Sequence, residues 1–261
     1  MTGKPLAGRR IVVTRRPEQS ASLADRLREL GATVVELPLV EIAPPADSAP
    51  LDDALRRLDR YDWAAFTSAN AVRSVSDRMT DLSLPERALT RRKIASVGPS
   101  TTHALRACFP EVVVSVEPAR HDAESLLEAL SGEARGRRFF FPTSDRARDV
   151  LPDGLRRRGA EVDVVVAYRT LAPPGLRERV LAGLRDGADL VTFASPSAVE
   201  NLVSAAGEVV PRIRAAVIGP VTEEACRRAG IEIVAVATPS TAEGLAAAVE
   251  RRFTSSAPGA P

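Results

Sequence analysis

Apolar positions along this chain fall into two alternating rhythms. Residues 11–13 are an unbroken apolar run; Leu23, Leu27 and Leu30 then recur at three- and four-residue spacing, Gly31 interrupts them, and "TVVEL" opens a second run. Short unbroken runs predict strands buried on both faces, and the wider spacing predicts a helix with one buried stripe that ends at glycine. Together they make a β-α-β unit. The same reading predicts strands near residues 63–66, 94–97, 112–116, 139–141, 162–166, 190–193, 216–218 and 233–236. Strands alternating with helices predict an α/β fold whose parallel sheets are covered on both faces.

The pattern is written twice. "DWAAFTSANAVRSV" from Asp62 aligns without a gap with "DLVTFASPSAVENL" from Asp189, sharing Asp, Phe, Ser, Ala and Val. "DRLRELGATVVEL" from Asp25 aligns with "DGLRRRGAEVDVV" from Asp153, and "VGPSTTHAL" from Val97 with "IGPVTEEAC" from Ile218. The order A-B-C-A′-B′-C′, with halves too long for a solenoid repeat, predicts two similar domains. "ELPLVEIAPP" (36–45) and "VVVAYRTLAPP" (164–174) both overrun a normal strand and end in Ala-Pro-Pro, which neither continues a strand nor enters a helix freely. They read as two matched crossings between domains. On that reading residues 1–38 and 172–261 form a discontinuous domain, 44–164 form the other, and 39–43 and 165–171 are linker strands. The simpler split into A-B-C and A′-B′-C′ stays open. The tail "TSSAPGAP" is expected to be disordered.

Composition narrows the chemistry. The 261 residues suit two domains of about 100 to 150 residues. A hydrophobic share of 44% supports real cores without a membrane-length apolar run, and the opening "MTGKPLAGRR" has no apolar leader, so a cytoplasmic protein without membrane attachment is expected. A net charge of +2 and an aromatic share of 4% argue against nucleic acid as the partner. Cys108 and Cys226 have no metal-site spacing and read as small core residues on helices. With only His103 and His121 present, a histidine metal cluster is excluded and a Ser-His-Asp triad disfavoured.

In open parallel sheets, ligands bind beyond the carboxyl ends of the strands. Those corners read "TRRPEQ" (14–19), "TSAN" (67–70), "GPSTT" (98–102), "PTSDRAR" (142–148), "SPS" (195–197) and "GPVT" (219–222). Any one hydroxyl there is explained by helix capping. Capping does not explain the set, in which several hydroxyl corners are joined by Arg15, Arg16, Arg146 and Arg148 with almost no acid among them. Such groups suit carboxylates or phosphates. Neither a G-x-G-x-x-G after the first strand nor a G-x-x-x-x-G-K-[ST] is present, so a nucleotide is not the expected ligand. Tyr168, in the second crossing, is either an interfacial tyrosine with a locally bonded hydroxyl or a weak acid facing the ligand. Tyr61 is expected to pack at a domain surface. Arg156 to Arg158, Arg227 and Arg228 complement helix C-termini. On these residues alone, a non-catalytic two-lobed module sensing an anionic metabolite explains as much as an enzyme does.

Through "VVTRR", "DWAAFTSANAV", "ASVGPSTTHAL", "DVLPDGLRRRGAEVDVVVAYRT", "DLVTFASPSAV" and "AVIGPVTEEACRRAG", in this order over residues 9–253, the chain resembles the uroporphyrinogen-III synthase (HemD) family. The resemblance implies two flavodoxin-like, HemD-like domains, interleaved in sequence, joined by a two-stranded linker and flanking a cleft. It implies a lyase that cyclises hydroxymethylbilane, a linear tetrapyrrole polycarboxylate, with inversion of the terminal pyrrole and loss of water, and with no cofactor or metal. Tyr168 matches the family's proposed proton donor. Thr14, Ser68, Thr101, Ser195, Ser197 and Thr222 match its cleft-facing hydroxyls, with Ser68 and Ser195 facing each other. Asn70, Gly98, Gly219 and Arg148 complete the expected substrate-binding set. The family usually shows TRP where this chain has TRRP, so Arg15 and Arg16 both remain candidates for its arginine, with Arg15 taken first. A monomer is expected, with transient contact to hydroxymethylbilane synthase.

Overall fold

The computed structural model describes residues 4–146, 150–207, 210 and 213–254. The chain opens with β1 (Arg10–Val13), α1 (Pro17–Glu29), β2 (Thr33–Glu36) and β3 (Glu41–Ala43). It continues through α2 (Ala49–Arg56), β4 (Trp63–Phe66), α3 (Ala69–Asp81), α4 (Arg87–Thr90), β5 (Lys93–Ser96), α5 (Pro99–Cys108) and β6 (Val114–Val116). Next come α6 (Ala123–Ala129), β7 (Arg138–Ser144), α7 (Val150–Arg157), β8 (Glu161–Leu171) and α8 (Leu176–Leu184). The last elements are β9 (Leu190–Phe193), α9 (Pro196–Ala206), β10 (Arg214–Val217), α10 (Pro220–Arg228), β11 (Glu232–Val236) and α11 (Ala242–Thr254).

Two compact units emerge, one from residues 1–41 with 171–261 and one from residues 42–170. In the first, the strands run in the order β2-β1-β9-β10-β11, each neighbouring pair parallel. In the second the order is β3-β8-β7-β4-β5-β6, and the pairs from β8 to β6 are again parallel. Counting each unit's strands from its GRR segment (Gly8–Arg10 or Gly136–Arg138), both read 2-1-3-4-5, the doubly wound order of flavodoxin-type sheets. Each has its reversal of winding between strands 1 and 3: β1 beside β9, and β7 beside β4.

Both faces of each sheet are buried along its central strands β1, β9 and β10 or β4 and β5, which is why those strands read as unbroken apolar runs. Along β4, Ala64 and Phe66 enter one core while Trp63 and Ala65 enter the other. Along β1, Val12 faces one core and Ile11 and Val13 the other. Period-two alternation thus survives, with apolar side chains sent both ways.

The two units share their fastenings as well. Asp189 accepts the backbone N–H of Arg10 at 2.9 Å and the guanidinium of Arg9 at 3.1 Å; Asp62 accepts the backbone N–H of Arg138 at 2.9 Å and the guanidinium of Arg137 at 3.1 Å. Each aspartate starts piece B or B′ of the repeat and holds the first strand of the other copy's piece A.

Some expectations shift in detail. β6 starts at Val114 because Val112 is still in a turn, its N–H bonded to the carbonyl of Phe109 at 2.9 Å. β7 runs on through Pro142; β4 pairs only with Phe139 and Phe140, so the proline removes no ladder bond on that side. Residues 165–171 are the far end of the continuous strand β8, which neighbours β3 in the sheet. Tyr61 does not sit at a domain surface. It is buried in the core, its ring 5.6 Å from Phe140 and its hydroxyl donating to Asp163 at 2.7 Å, an acceptor that lets the phenol be buried. Burial first, then this bond to Asp163, push its pKa up. The tail beyond Thr254 lies outside the described residues. Among the described residues, no helix is long and apolar enough to cross a membrane.

Candidate active site

Parallel strands end at a common edge, so the corners of each unit gather by topology alone. In the first unit β1, β9 and β10 are adjacent and run into α1, α9 and α10, each with proline in its first turn. Proline suits that position, where its fixed φ is helical and an N–H would have no partner. This edge carries Thr14 and Arg15, Ser195 and Ser197, and Gly219 and Thr222. In the second unit the edge carries Ser68 and Asn70 after β4, Gly98 and Thr101 after β5, and Tyr168 near the end of β8. Arg148 lies outside the described residues.

Thr14 is 2% exposed and its hydroxyl donates to the Thr192 carbonyl at 2.7 Å, while Thr192 donates to the Val12 carbonyl at 3.3 Å. This pair fastens β1 to β9 at the reversal of winding, so Thr14 gives its proton to the sheet. Arg15, Asn70 and Ser197 are half-buried. Ser195 and Ser68 have the same extended backbone, φ −158° and −152°, and each caps its helix, accepting from Ala198 at 3.3 Å and Ala71 at 3.0 Å. Capping is therefore real at both.

Ser68 has a second partner. Its hydroxyl lies 3.1 Å from the Tyr168 hydroxyl, and either oxygen can donate. Tyr168 stands opposite Ser144 in the β7–β8 register, and its carbonyl accepts the N–H of Asp145 at 3.2 Å. Its ring is buried in the core that also holds Phe66 and Ala71. Tyr168 and Ser68, both sequence-predicted, are thus joined by a direct bond.

Thr101 and Thr222 occupy matching places in the first turns of α5 and α10, and each is 3% exposed. Among the described residues neither hydroxyl has a hydrogen-bond partner, and neither oxygen is among the wholly buried orphans. Neither hydroxyl is spent on the described residues. Thr102, the neighbouring hydroxyl, is used: it meets Ser96 at 2.9 Å and also donates to Glu117. Glu117 thus brings a carboxylate to a corner whose own sequence has none.

Gly98 and Gly219 precede proline with φ 166° and 175°, extended geometry open to any residue. Space is what requires glycine. A Cβ on Gly98 would come within 2.8 Å of Cβ and Cγ of His121, and one on Gly219 within 2.9 Å of the Ser240 hydroxyl. His121 lies on the loop after β6 and Ser240 on the loop after β11, equivalent places in the two units. A fourth repeat carries the signal: "HDAESL" from His121 matches "STAEGL" from Ser240.

The family described as uroporphyrinogen-III synthase HemD matches residues 21–247. A relative from Methanothermobacter thermautotrophicus is 36% identical over 86% of this chain and 91% of its own. The uroporphyrinogen-III synthase of Synechococcus elongatus is 31% identical over 96% of this chain and 98% of its own. Among solved structures, uroporphyrinogen III synthase from Thermus thermophilus superposes with a TM-score of 0.66 at 19% identity, covering 95% of this chain and all of the other. The Helicobacter pylori enzyme gives 0.64 at 16% identity, covering 91% and 96%. At those identities the two structures attest the fold.

Proposed function

This chain belongs to the uroporphyrinogen-III synthase (HemD) family and is a cyclising lyase of tetrapyrrole biosynthesis; from that premise we propose how its residues divide the work, with Tyr168 as the proton donor. The reaction expels a hydroxyl as water from hydroxymethylbilane. The electron-poor carbon left behind is attacked by the substituted position of the terminal pyrrole, and the spirocyclic product opens and recloses with that ring inverted. Pyrrole nitrogens supply the electron push. The protein must give one proton to the departing hydroxyl, take one back at ring closure, and hold the chain so that the inverted closure is the nearer one.

The observation that carries the assignment is the Tyr168–Ser68 hydrogen bond at the carboxyl edge of the second sheet. Ser68 already accepts the N–H of Ala71, so its own proton is free to point at Tyr168. The Tyr168 proton then points away from Ser68, towards the leaving hydroxyl. The bond from Ser68 stabilises the charge that builds on the phenolic oxygen as its proton departs. The substrate carboxylates are received by Thr101, Thr222, Ser197, Asn70, Arg15 and Arg148, with the first-turn N–H groups of α3, α5, α9 and α10. Thr14, whose proton is spent on Thr192, contributes by holding β1 against β9.

We further propose a monomeric, cytoplasmic enzyme that meets hydroxymethylbilane synthase only transiently. Its two cysteines are free, as suits a reducing compartment. The test is to supply freshly generated hydroxymethylbilane, oxidise the product and resolve the porphyrin isomers. The inverted isomer is expected; the uninverted isomer alone would overturn the reading.

A further inference from the structure

We propose that His121 and Ser240 are additional substrate-positioning residues, each covering the Gly–Pro corner of its unit and offering a hydrogen bond to a side-chain carboxylate of the linear tetrapyrrole. The proposal rests on the family reading above.

Several features point the same way. Both residues are exposed and lie against the glycine that opens α5 or α10, at the contact distances given above. They sit at the same place in the repeat, so the arrangement is built twice. Each is held by the residue after it: Asp122 accepts the Ser125 N–H at 2.7 Å, and Thr241 accepts the Gly244 N–H at 3.1 Å. Because those neighbours serve as the caps of α6 and α11, His121 and Ser240 are not needed as caps. A residue that merely covered a glycine would gain most by being apolar. Here an imidazole and a hydroxyl cover it instead, at the same turns that hold the unpartnered hydroxyls of Thr101 and Thr222. In the second unit, Glu117 also ties this loop to Thr102 in the first turn of α5. His121 lies on the loop held in this way, and the residue is exposed.

The test compares wild type with His121→Ala, His121→Gln and Ser240→Ala, reading KM and kcat for hydroxymethylbilane together with thermal midpoints. Loss of a hydrogen bond to a charged group should raise KM in His121→Ala about tenfold with kcat changed less than about twofold. His121→Gln, which keeps an N–H donor, should recover part of that loss, and Ser240→Ala should raise KM by a few-fold. Unchanged KM in His121→Ala and Ser240→Ala overturns the proposal. So does a raised KM that Gln fails to recover and that comes with a lowered midpoint, the mark of a purely structural spacer. If wild type yields no inverted isomer, the family reading falls and this proposal with it; inverted isomer from wild type with unchanged KM in the variants overturns this proposal alone.

Discussion

Asp62 holds Arg138 by its backbone N–H at 2.9 Å, across 76 positions of sequence, and so ties the start of β4 to the start of β7. That bond is the largest cause holding the Asp62 carboxyl below its usual range; burial opposes it and Arg137 adds to it. The folded chain therefore favours the charged form. The clamp is complete above the ordinary aspartate value near 3.9 and is lost as pH falls through the lower folded value. With the side chain 38% exposed, solvent screening limits the contribution to about 1 kcal/mol. Asp62→Asn should lower the thermal midpoint by a few degrees at pH 7, and the gap should narrow as the pH is taken to about 3. Melting curves across that range check it; a gap that stays constant would mean the clamp is not ionic.

Removing the Tyr168 hydroxyl should slow the enzyme without unfolding it. Tyr168→Phe keeps the buried ring and should lower kcat at least about tenfold. Ser68→Ala should lower kcat less while costing about 1 kcal/mol of stability, because it deletes a helix cap as well as a partner of Tyr168. Steady-state isomer analysis with calorimetric melting separates the two. Full activity in Tyr168→Phe would remove it from the mechanism.

Alanine at the two corner glycines should behave unequally. At Gly98 the new methyl meets His121 at Cβ and Cγ, next to the backbone, whereas at Gly219 it meets a hydroxyl that can rotate aside. Gly98→Ala should cost about 1 to 3 kcal/mol and Gly219→Ala about 1 kcal/mol or less. Denaturant midpoints at equal slope read the difference, and equal costs would contradict this account of the corners.

Neither cysteine should react in the native protein. Burial pushes the Cys226 thiol up to about 12, and burial is also the first cause raising Cys108. Thiolate is thus scarce at pH 8. Native protein treated with iodoacetamide should stay unlabelled in intact-mass spectra, and both sites should label in denaturant. Fast native labelling at Cys226 would show that α10 opens.

Strand positions are legible in the sequence because both faces of each sheet are covered: Trp63, Ala64, Ala65 and Phe66 all had to be apolar. The repeated hydroxyl corners are legible too, since Ser68 and Ser195 cap helices that begin at equivalent places. What escapes a reading along the chain depends on partners far away in it. Tyr61 is buried only because Asp163 receives its hydroxyl, and no local pattern announces a pairing across 102 positions. Gly98 and Gly219 look like turn glycines, yet their backbone angles suit any residue; the reason for them is a side chain on another loop. Glu117 enters the edge in the same way, from beyond the fifth strand.

The placing of β1 between β2 and β9 bears on the order in which a nascent chain can fold. The second unit is continuous, so it can close once Thr170 has left the ribosome. β1 and β2 can pair within the first 36 residues, but the other side of β1 has no neighbour until Leu190 is made. At about 5 to 20 residues per second that wait is roughly 10 to 35 s. Throughout it, the first product of translation carries an open edge of apolar strand, the feature most prone to wrong pairing. Newly made copies of this chain therefore depend most on protection at their amino terminus, whose first strand waits for its second neighbour across more of the sequence than any other paired strand does.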